Sequence, residues 1–270
     1  RWMVQRFLHE AAAAGSLAHP HIVESTDMGF TRDGIPYIVF EYLEGCLLTE
    51  EIRRLGRLPL GRMLVIARQV ASALDAVHRA QLAHLDVKGD NVLLTRRAPA
   101  LDHAKLIDFG ISRCTAAAAD QAPAGILMGT PEYMAPEQVV QPELADGRAD
   151  IYAFGVLIYE MLSGRCPFEG DDPQQVLARV LRDPPPLLDC TVPPVLEQLV
   201  FEGLLTKSPA HRIRTIAEVI PVLDALLAAT DARPDRLPAA PARAAEPPPA
   251  WGLEPVLDEP LVLDAVDAPA

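Results

Sequence analysis

The sequence predicts an α+β chain, with a small strand-bearing segment ahead of a longer, mostly helical one. Three observations predict it. Two strand-like runs, 21–30 and 35–42, flank the turn signal Arg32-Asp33-Gly34. From Thr49 onward apolar residues recur at helical spacing, most clearly over 59–79. Beyond about residue 230 the composition shifts to Pro, Ala and acid, which cannot bury enough apolar surface to offset its ordering entropy.

Taken in order, residues 3–18 place Val4, Phe7, Leu8, Ala11, Ala12 and Leu17 on one helical face. His19-Pro20 ends that helix, because proline disfavours the helical conformation of the residue before it. The two strands follow. Over 59–79, Met63, Ile66, Ala67, Val70, Leu74 and Val77 form one stripe. Residues 92–95 and 104–107 read as two short strands of a hairpin, with 96–103 between them. Residues 150–162 form an apolar helix closed by Gly164. Further helices are expected at 173–182, 193–205 and 215–229, with Pro184-Pro185-Pro186 separating the first two. Residues 231–270, including Pro247-Pro248-Pro249, read as a linker or tail. No internal repeat is visible.

The chain has 270 residues, half of them hydrophobic, and a net charge of -13. That balance argues against nucleic-acid binding, which needs a basic face. It does not exclude a nucleotide, since Mg2+ supplies positive charge at such a site. Cys46, Cys114, Cys166 and Cys190 lie far apart with no metal-type spacing, as expected of reduced thiols in a cytoplasmic protein. No apolar run approaches the roughly 18 to 20 residues of a membrane span. No signal peptide opens the chain, and its first residue is Arg1.

One constellation carries chemistry. His84-Leu85-Asp86-Val87-Lys88-Gly89-Asp90-Asn91 is followed by Asp108-Phe109-Gly110 and by Gly129-Thr130-Pro131-Glu132-Tyr133-Met134-Ala135-Pro136-Glu137. Taken singly, each Asp or Asn is an ordinary turn or capping residue and each Lys is solvated surface. Their joint order and spacing are not ordinary. They resemble the catalytic loop, metal-binding turn and activation-segment end of a protein kinase. The match runs from about residue 3 to 228. Its texture is similar to the bacterial, eukaryotic-like (Hanks-type) serine/threonine kinases.

The resemblance implies a two-lobe kinase fold and assigns expected roles. Asp86 would orient the substrate hydroxyl, Lys88 would contact the γ-phosphate of ATP, and Asn91 and Asp108 would hold Mg2+. Thr130 would contact Asp86 and Lys88. Glu41-Tyr42-Leu43, after Phe40, resembles the hinge whose backbone meets adenine, so Glu41 and Leu43 are cofactor-side candidates. Glu10 resembles the glutamate that pairs with a strand lysine. His84, Asp150, Glu137 and Arg212 would be structural. Asp150, opening Asp-Ile-Tyr-Ala-Phe-Gly155, matches a buried aspartate that holds the catalytic loop by its backbone, and a plain helix N-cap is the rival reading. Glu137 would pair with Arg212, for which a surface cap is the bland alternative. The expected partners are proteins bearing Ser or Thr acceptors.

The expected division is 1–43 for the remnant of the smaller lobe, 44–229 for the helical lobe and 230–270 for the tail. The smaller lobe is expected to be incomplete. No two glycines are separated by one residue, so the family's G-x-G-x-x-G is absent. The lysines are Lys88, Lys105 and Lys207, all after the hinge, so Glu10 lacks its lysine. The missing parts are expected before Arg1. This leaves the inner faces of the two remaining strands bare and the 270 residues alone with little activity. Leu85 stands where many kinases carry an Arg that docks an activation-segment phosphate, so activation should not depend on phosphorylation of Ser112 or Thr115. Gly89, where Pro is usual, should loosen the loop. Two other readings stay open. One is a pseudokinase acting as a binding or scaffold module, favoured by Leu85, Gly89 and the missing strands. The other is a small-molecule phosphotransferase, opposed by Ala135-Pro136-Glu137 and Arg212.

Overall fold

A computed structural model describes residues 17–97, 101–108, 129–142 and 145–230. The expected first helix with Glu10, the Phe109-Gly110 pair, Ser112, Cys114, Thr115 and the tail lie outside the described residues, apart from the last residues of that helix.

The strand-bearing part is a two-stranded antiparallel hairpin. Strands β1 (Ser25–Phe30) and β2 (Pro36–Phe40) pair from Ser25↔Phe40 to Phe30↔Pro36. The first strand starts four residues later than expected because residues 21–23 are used elsewhere. Ile22 bridges in parallel to Leu106, with the Leu106 N–H on the His21 carbonyl at 2.9 Å and the Val23 N–H on the Leu106 carbonyl at 3.0 Å. As expected, the hairpin is bare: Phe30, Ile35, Tyr37, Val39 and Phe40 are exposed, and Tyr42 beyond it is 86% exposed.

A second, three-stranded antiparallel sheet runs β3 (Gly45–Leu47), β4 (Val92–Arg97), β5 (Leu101–Leu106). Sequence reading missed β3, which is only three residues long and too short to show alternation. Helix α1 (Leu48–Leu55) follows at once, opened by the Leu47 N–H on Glu50 Oε2 at 3.1 Å and closed by Gly56 at φ +79°.

Helices α2 (Leu60–Arg79) and α4 (Gly147–Ser163) build the core, with the short α3 (Pro136–Val140) between them in sequence. On α2 the expected stripe is buried. Helix α4 starts earlier than expected because Asp146 caps it, accepting the Arg148 N–H at 2.9 Å. It ends at Gly164, whose left-handed φ of +81° any side chain would strain. Tyr152, Phe154, Ile151, Leu157 and Tyr159 are all essentially buried, so α4 is enclosed on every side. Truncating Phe154 to Ala would cost about 3 to 5 kcal/mol.

Helix α5 (Pro173–Arg182) matches its expected span. The single helix expected over 193–205 is instead α6 (Pro194–Gln198) continued by a π-helical turn, Leu199–Leu204. Within that turn Gly203 meets Ile213: a Cβ there would lie 2.7 Å from Ile213 Cδ1, and the Gly203 carbonyl accepts the Ile213 N–H at 3.0 Å. The last helix is a 3-10 turn, Ile216–Glu218, leading into α7 (Val219–Thr230). Buried Arg62 ties α1, α2 and β5 together, bonding Glu51 and both oxygens of Asp102. The Arg54 guanidinium, seconded by Arg62, holds the Glu51 carboxyl down to about 2. Among the described residues no helix is long and apolar enough to cross a membrane.

Candidate active site

The loop between α2 and β4 is held from beneath by Asp150. This carboxylate is fully buried on α4. It accepts the His84 N–H at 2.8 Å, the Leu85 N–H at 2.6 Å and a hydrogen bond from His78 Nε2 at 2.9 Å. A buried carboxylate needs such donors, and three converge on it. The grip matters because Leu85 has φ +60°, a left-handed conformation costing a non-glycine residue about 1 kcal/mol. His84 is enclosed as well. Its Nε2 faces the Ile107 carbonyl at 3.1 Å and its Nδ1 accepts the Asp86 N–H at 3.3 Å. One nitrogen donates and the other accepts, which describes a neutral imidazole. Burial pushes the His84 pKa below its ordinary value, in the same sense.

Above this support the residues singled out by motif converge. Asn91 donates its amide to the Asp86 backbone oxygen and to Asp86 Oδ2, both at 2.8 Å. Lys88 Nζ lies 2.9 Å from Asp86 Oδ2 and donates to Thr130 Oγ1 at 3.0 Å. Asp86, Lys88, Asn91 and Thr130 therefore form one connected cluster, half-buried apart from enclosed Asn91. The turn Gly89–Asn91 brings the chain into β4, and the Ile107 N–H on the Asn91 carbonyl at 2.9 Å sets the exit of β5 beside it. Asp108 follows, exposed and also left-handed at φ +59°. Asp is among the few non-glycine residues that adopt that region readily.

These donors suit a hard divalent cation. Both hydrogens of the Asn91 amide nitrogen are spent on Asp86, and its carbonyl oxygen accepts no hydrogen bond among the described residues. It and the Asp108 carboxylate are oxygen donors of the kind Mg2+ takes from protein. No cluster of three or more His, Cys, Asp or Glu fit for a metal occurs among the described residues.

The hinge candidates are also placed. Glu41 returns its N–H to the Glu24 carbonyl and accepts the Glu24 N–H on Oε1, each at 2.9 Å. Lys105 Nζ bonds Glu41 Oε1 and also reaches the Ile22 carbonyl at 3.2 Å. Burial pushes the Glu41 carboxyl up, but Lys105 and the Glu24 N–H hold it below its ordinary value overall. The Glu41 side chain and N–H are thus committed, and of its polar groups the backbone carbonyl carries none of these bonds. Glu10 lies outside the described residues.

Farther out, Arg212 bonds both oxygens of Glu137 at 2.6 and 3.0 Å, and also the carbonyls of Arg148 and Thr206 at 2.6 and 3.1 Å. Its guanidinium stacks over Tyr152, 5.1 Å from the ring centre.

Several site residues escaped sequence reading. Tyr133 donates its hydroxyl to Glu160, and that hydroxyl also faces the Gly89 N–H at 3.5 Å. Burial raises the Glu160 carboxyl to about 6 and pushes the neighbouring Cys166 thiol up. Tyr133 sat inside a recognised motif, but nothing in sequence joins it to Glu160 on α4. Thr49 is another. Its hydroxyl is buried without a hydrogen bond, and it fills the space that a Cβ on Gly89 would need. The Thr49 backbone N and Cα would lie only 3.1 and 3.4 Å from that atom. The expectation that Gly89 merely loosens the loop is therefore corrected: the close approach of α1 requires a glycine there.

Residues 1–219 match the protein kinase domain family. The serine/threonine-protein kinase Pkn1 of Myxococcus xanthus is 39% identical over 229 residues, covering 84% of this chain and 32% of that protein. The kinase pkn3 of the same organism is 37% identical, covering 90% and 45%. PknA of Mycobacterium tuberculosis is 37% identical, covering 78% and 48%. The chain thus spans 32 to 48% of the length of these curated relatives. With the Asp86–Asn91 loop and the Glu137–Arg212 pair in place, the chain belongs to the protein kinase family, in its bacterial Hanks-type serine/threonine branch.

Proposed function

We propose that the protein transfers the γ-phosphate of ATP to Ser or Thr hydroxyls of protein substrates. The observation that carries this reading is the Asp86–Asn91–Lys88–Thr130 cluster. Asp86 is placed by Asn91 to accept, or orient, the proton of an incoming hydroxyl. The hydroxyl oxygen bonds the γ-phosphorus as the bond to the bridging β,γ-oxygen breaks, releasing ADP. Lys88, a compact cation between Asp86 and Thr130, offsets negative charge on the migrating group. Asn91 and Asp108 would hold Mg2+, which when bound neutralises charge on the phosphates. Glu41 and Leu43 offer backbone to adenine.

Residues 1–43 supply part of the smaller lobe, 44–229 the larger lobe with the chemistry, and 230–270 a tail. The 270 residues hold no G-x-G-x-x-G and no lysine ahead of the hinge, so they supply the metal and hydroxyl side of the site without a lid over the phosphates. By themselves they should turn over slowly.

The test is phosphotransfer from radiolabelled ATP to a protein acceptor with Mg2+, in the full-length protein. Asp86→Asn should lower kcat by about 10²- to 10⁴-fold. Asn91→Ala should raise the Mg2+ concentration needed for half-maximal rate. Wild-type turnover in Asp86→Asn would overturn the assignment.

A further inference from the structure

A cavity of about 780 Å³ opens behind the catalytic loop, between the end of α2, the start of α4 and the segment leading to α7. Its size falls within the range of small-molecule sites. Its charged lining is Asp75, His78, Arg79, Asp146, Arg148 and Arg214. Asp75 is matched by Arg79 at 2.9 Å and Asp146 by Arg148 at 2.9 Å. Arg214 has no carboxylate partner among the described residues. In a chain of net charge -13, the lining of this cavity carries three arginines against two carboxylates.

The wall is also wired to the loop. His78 lines the cavity, and its ring packs against Gly147, where a Cβ would lie 3.0 Å from the ring. A side chain at that position would have to push the ring aside, so the ring sits tightly against the start of α4. Through Nε2 the same ring is one of the three donors to Asp150, whose other two are the His84 and Leu85 N–H groups. Anything that engages the ring from the cavity acts one residue away from the backbone that presents Asp86.

We propose that this cavity binds a small anion-bearing molecule, phosphate or carboxylate, through Arg214, and that occupancy is transmitted through His78 and Asp150 to Leu85. Arg214 supplies the uncommitted guanidinium fork. Arg79 and Arg148 add positive potential while remaining on their own carboxylates. The coupling is a change in the third donor to a buried acceptor, and it requires no movement of the core.

The test is a nuclear magnetic resonance titration of the full-length protein with inorganic phosphate and, separately, succinate, without nucleotide. The expected result is a saturable shift of the His78 ring signals together with the Leu85 amide, with a millimolar Kd for at least one probe. Arg214→Ala should weaken binding about tenfold and Arg214→Glu should abolish it. Exposed Arg182→Ala, at the end of α5, should bind as wild type. No saturable shift, or equal affinity in wild type and both Arg214 variants, overturns the proposal. So does a His78 shift without one at Leu85, which removes the coupling. Binding is read here without turnover, so failure of the phosphotransfer assignment would leave this result intact, and the reverse holds too.

Discussion

Arg212 reaches 75 residues back along the chain to take both oxygens of Glu137, and the two partners are unequally enclosed. The Arg212 side chain is wholly buried, whereas that of Glu137 is 14% exposed. The pair should therefore respond unequally to truncation. Glu137→Ala strands a buried cation and should cost about 3 kcal/mol or more. Arg212→Met removes the buried charge and leaves a carboxylate that water can reach, so it should cost distinctly less. Urea midpoints of the two variants check this, and equal losses would contradict it.

Gly89 and Thr49 should behave as a matched pair. Gly89→Ala drives a methyl into the Thr49 hydroxyl and should destabilise by about 1 to 3 kcal/mol. Thr49→Ala removes a buried hydroxyl with no partner and should be close to neutral. Because the Thr49 backbone is also near, the double variant should recover part of the loss and not all of it. A double-mutant cycle from thermal melts measures the coupling.

Glu160 gives a pH dependence whose sign is fixed. Burial raises its folded-state value to about 6 from an ordinary 4.5. The unfolded chain therefore ionises Glu160 more readily than the folded one. That penalty is fully present above about pH 6 and fades as pH falls toward 4.5. The shift corresponds to roughly 2 kcal/mol. Glu160→Gln keeps an acceptor for the Tyr133 hydroxyl without the charge, so it should raise Tm at pH 8 and do little at pH 4.5. Equal effects at both values would rule out ionisation as the cause.

Asp150→Asn should separate positioning from folding. An amide offers one acceptor oxygen where the carboxylate offers two, so either His84 or Leu85 loses its anchor. Leu85 would then relax from its left-handed conformation and Asp86 would drift. We expect kcat to fall about 10- to 100-fold, with KM for ATP nearly unchanged. A change confined to KM would show that the clamp serves nucleotide binding.

Residues close in sequence made much of this legible. Asp86, Lys88 and Asn91 lie within one loop, so their spacing already constrains their geometry, and the structure brings them together with Thr130. Helix α2 was visible because its stripe holds the 3.6-residue period over 20 residues. Helix α4 was readable as apolar, but being enclosed on all sides it has no face to mark its start, and Asp146 fixes that start instead. What stayed hidden depends on distant parts of the chain meeting. Glu160 and Tyr133 are joined only by packing, and the need for Gly89 arises from Thr49, 40 positions earlier. Lys105 reads as an ordinary strand residue until its contact with Glu41 is seen.

The parallel bridge between Ile22 and Leu106 has a dynamic consequence. Among the described residues it lies in the seam that joins the bare β1–β2 hairpin to the sheet of the helical body, together with the Lys105–Glu41 and His21–Ala104 contacts. An isolated two-stranded hairpin is marginal in water. Amide hydrogen exchange should therefore divide the molecule along this seam. The Met28 and Val39 region should exchange through local opening, while amides of α2 and α4 wait for global unfolding. Leu106, whose N–H is held by His21, should lie between the two, and its protection factor would report how often the hinge side of the site comes loose while the catalytic loop stays in place.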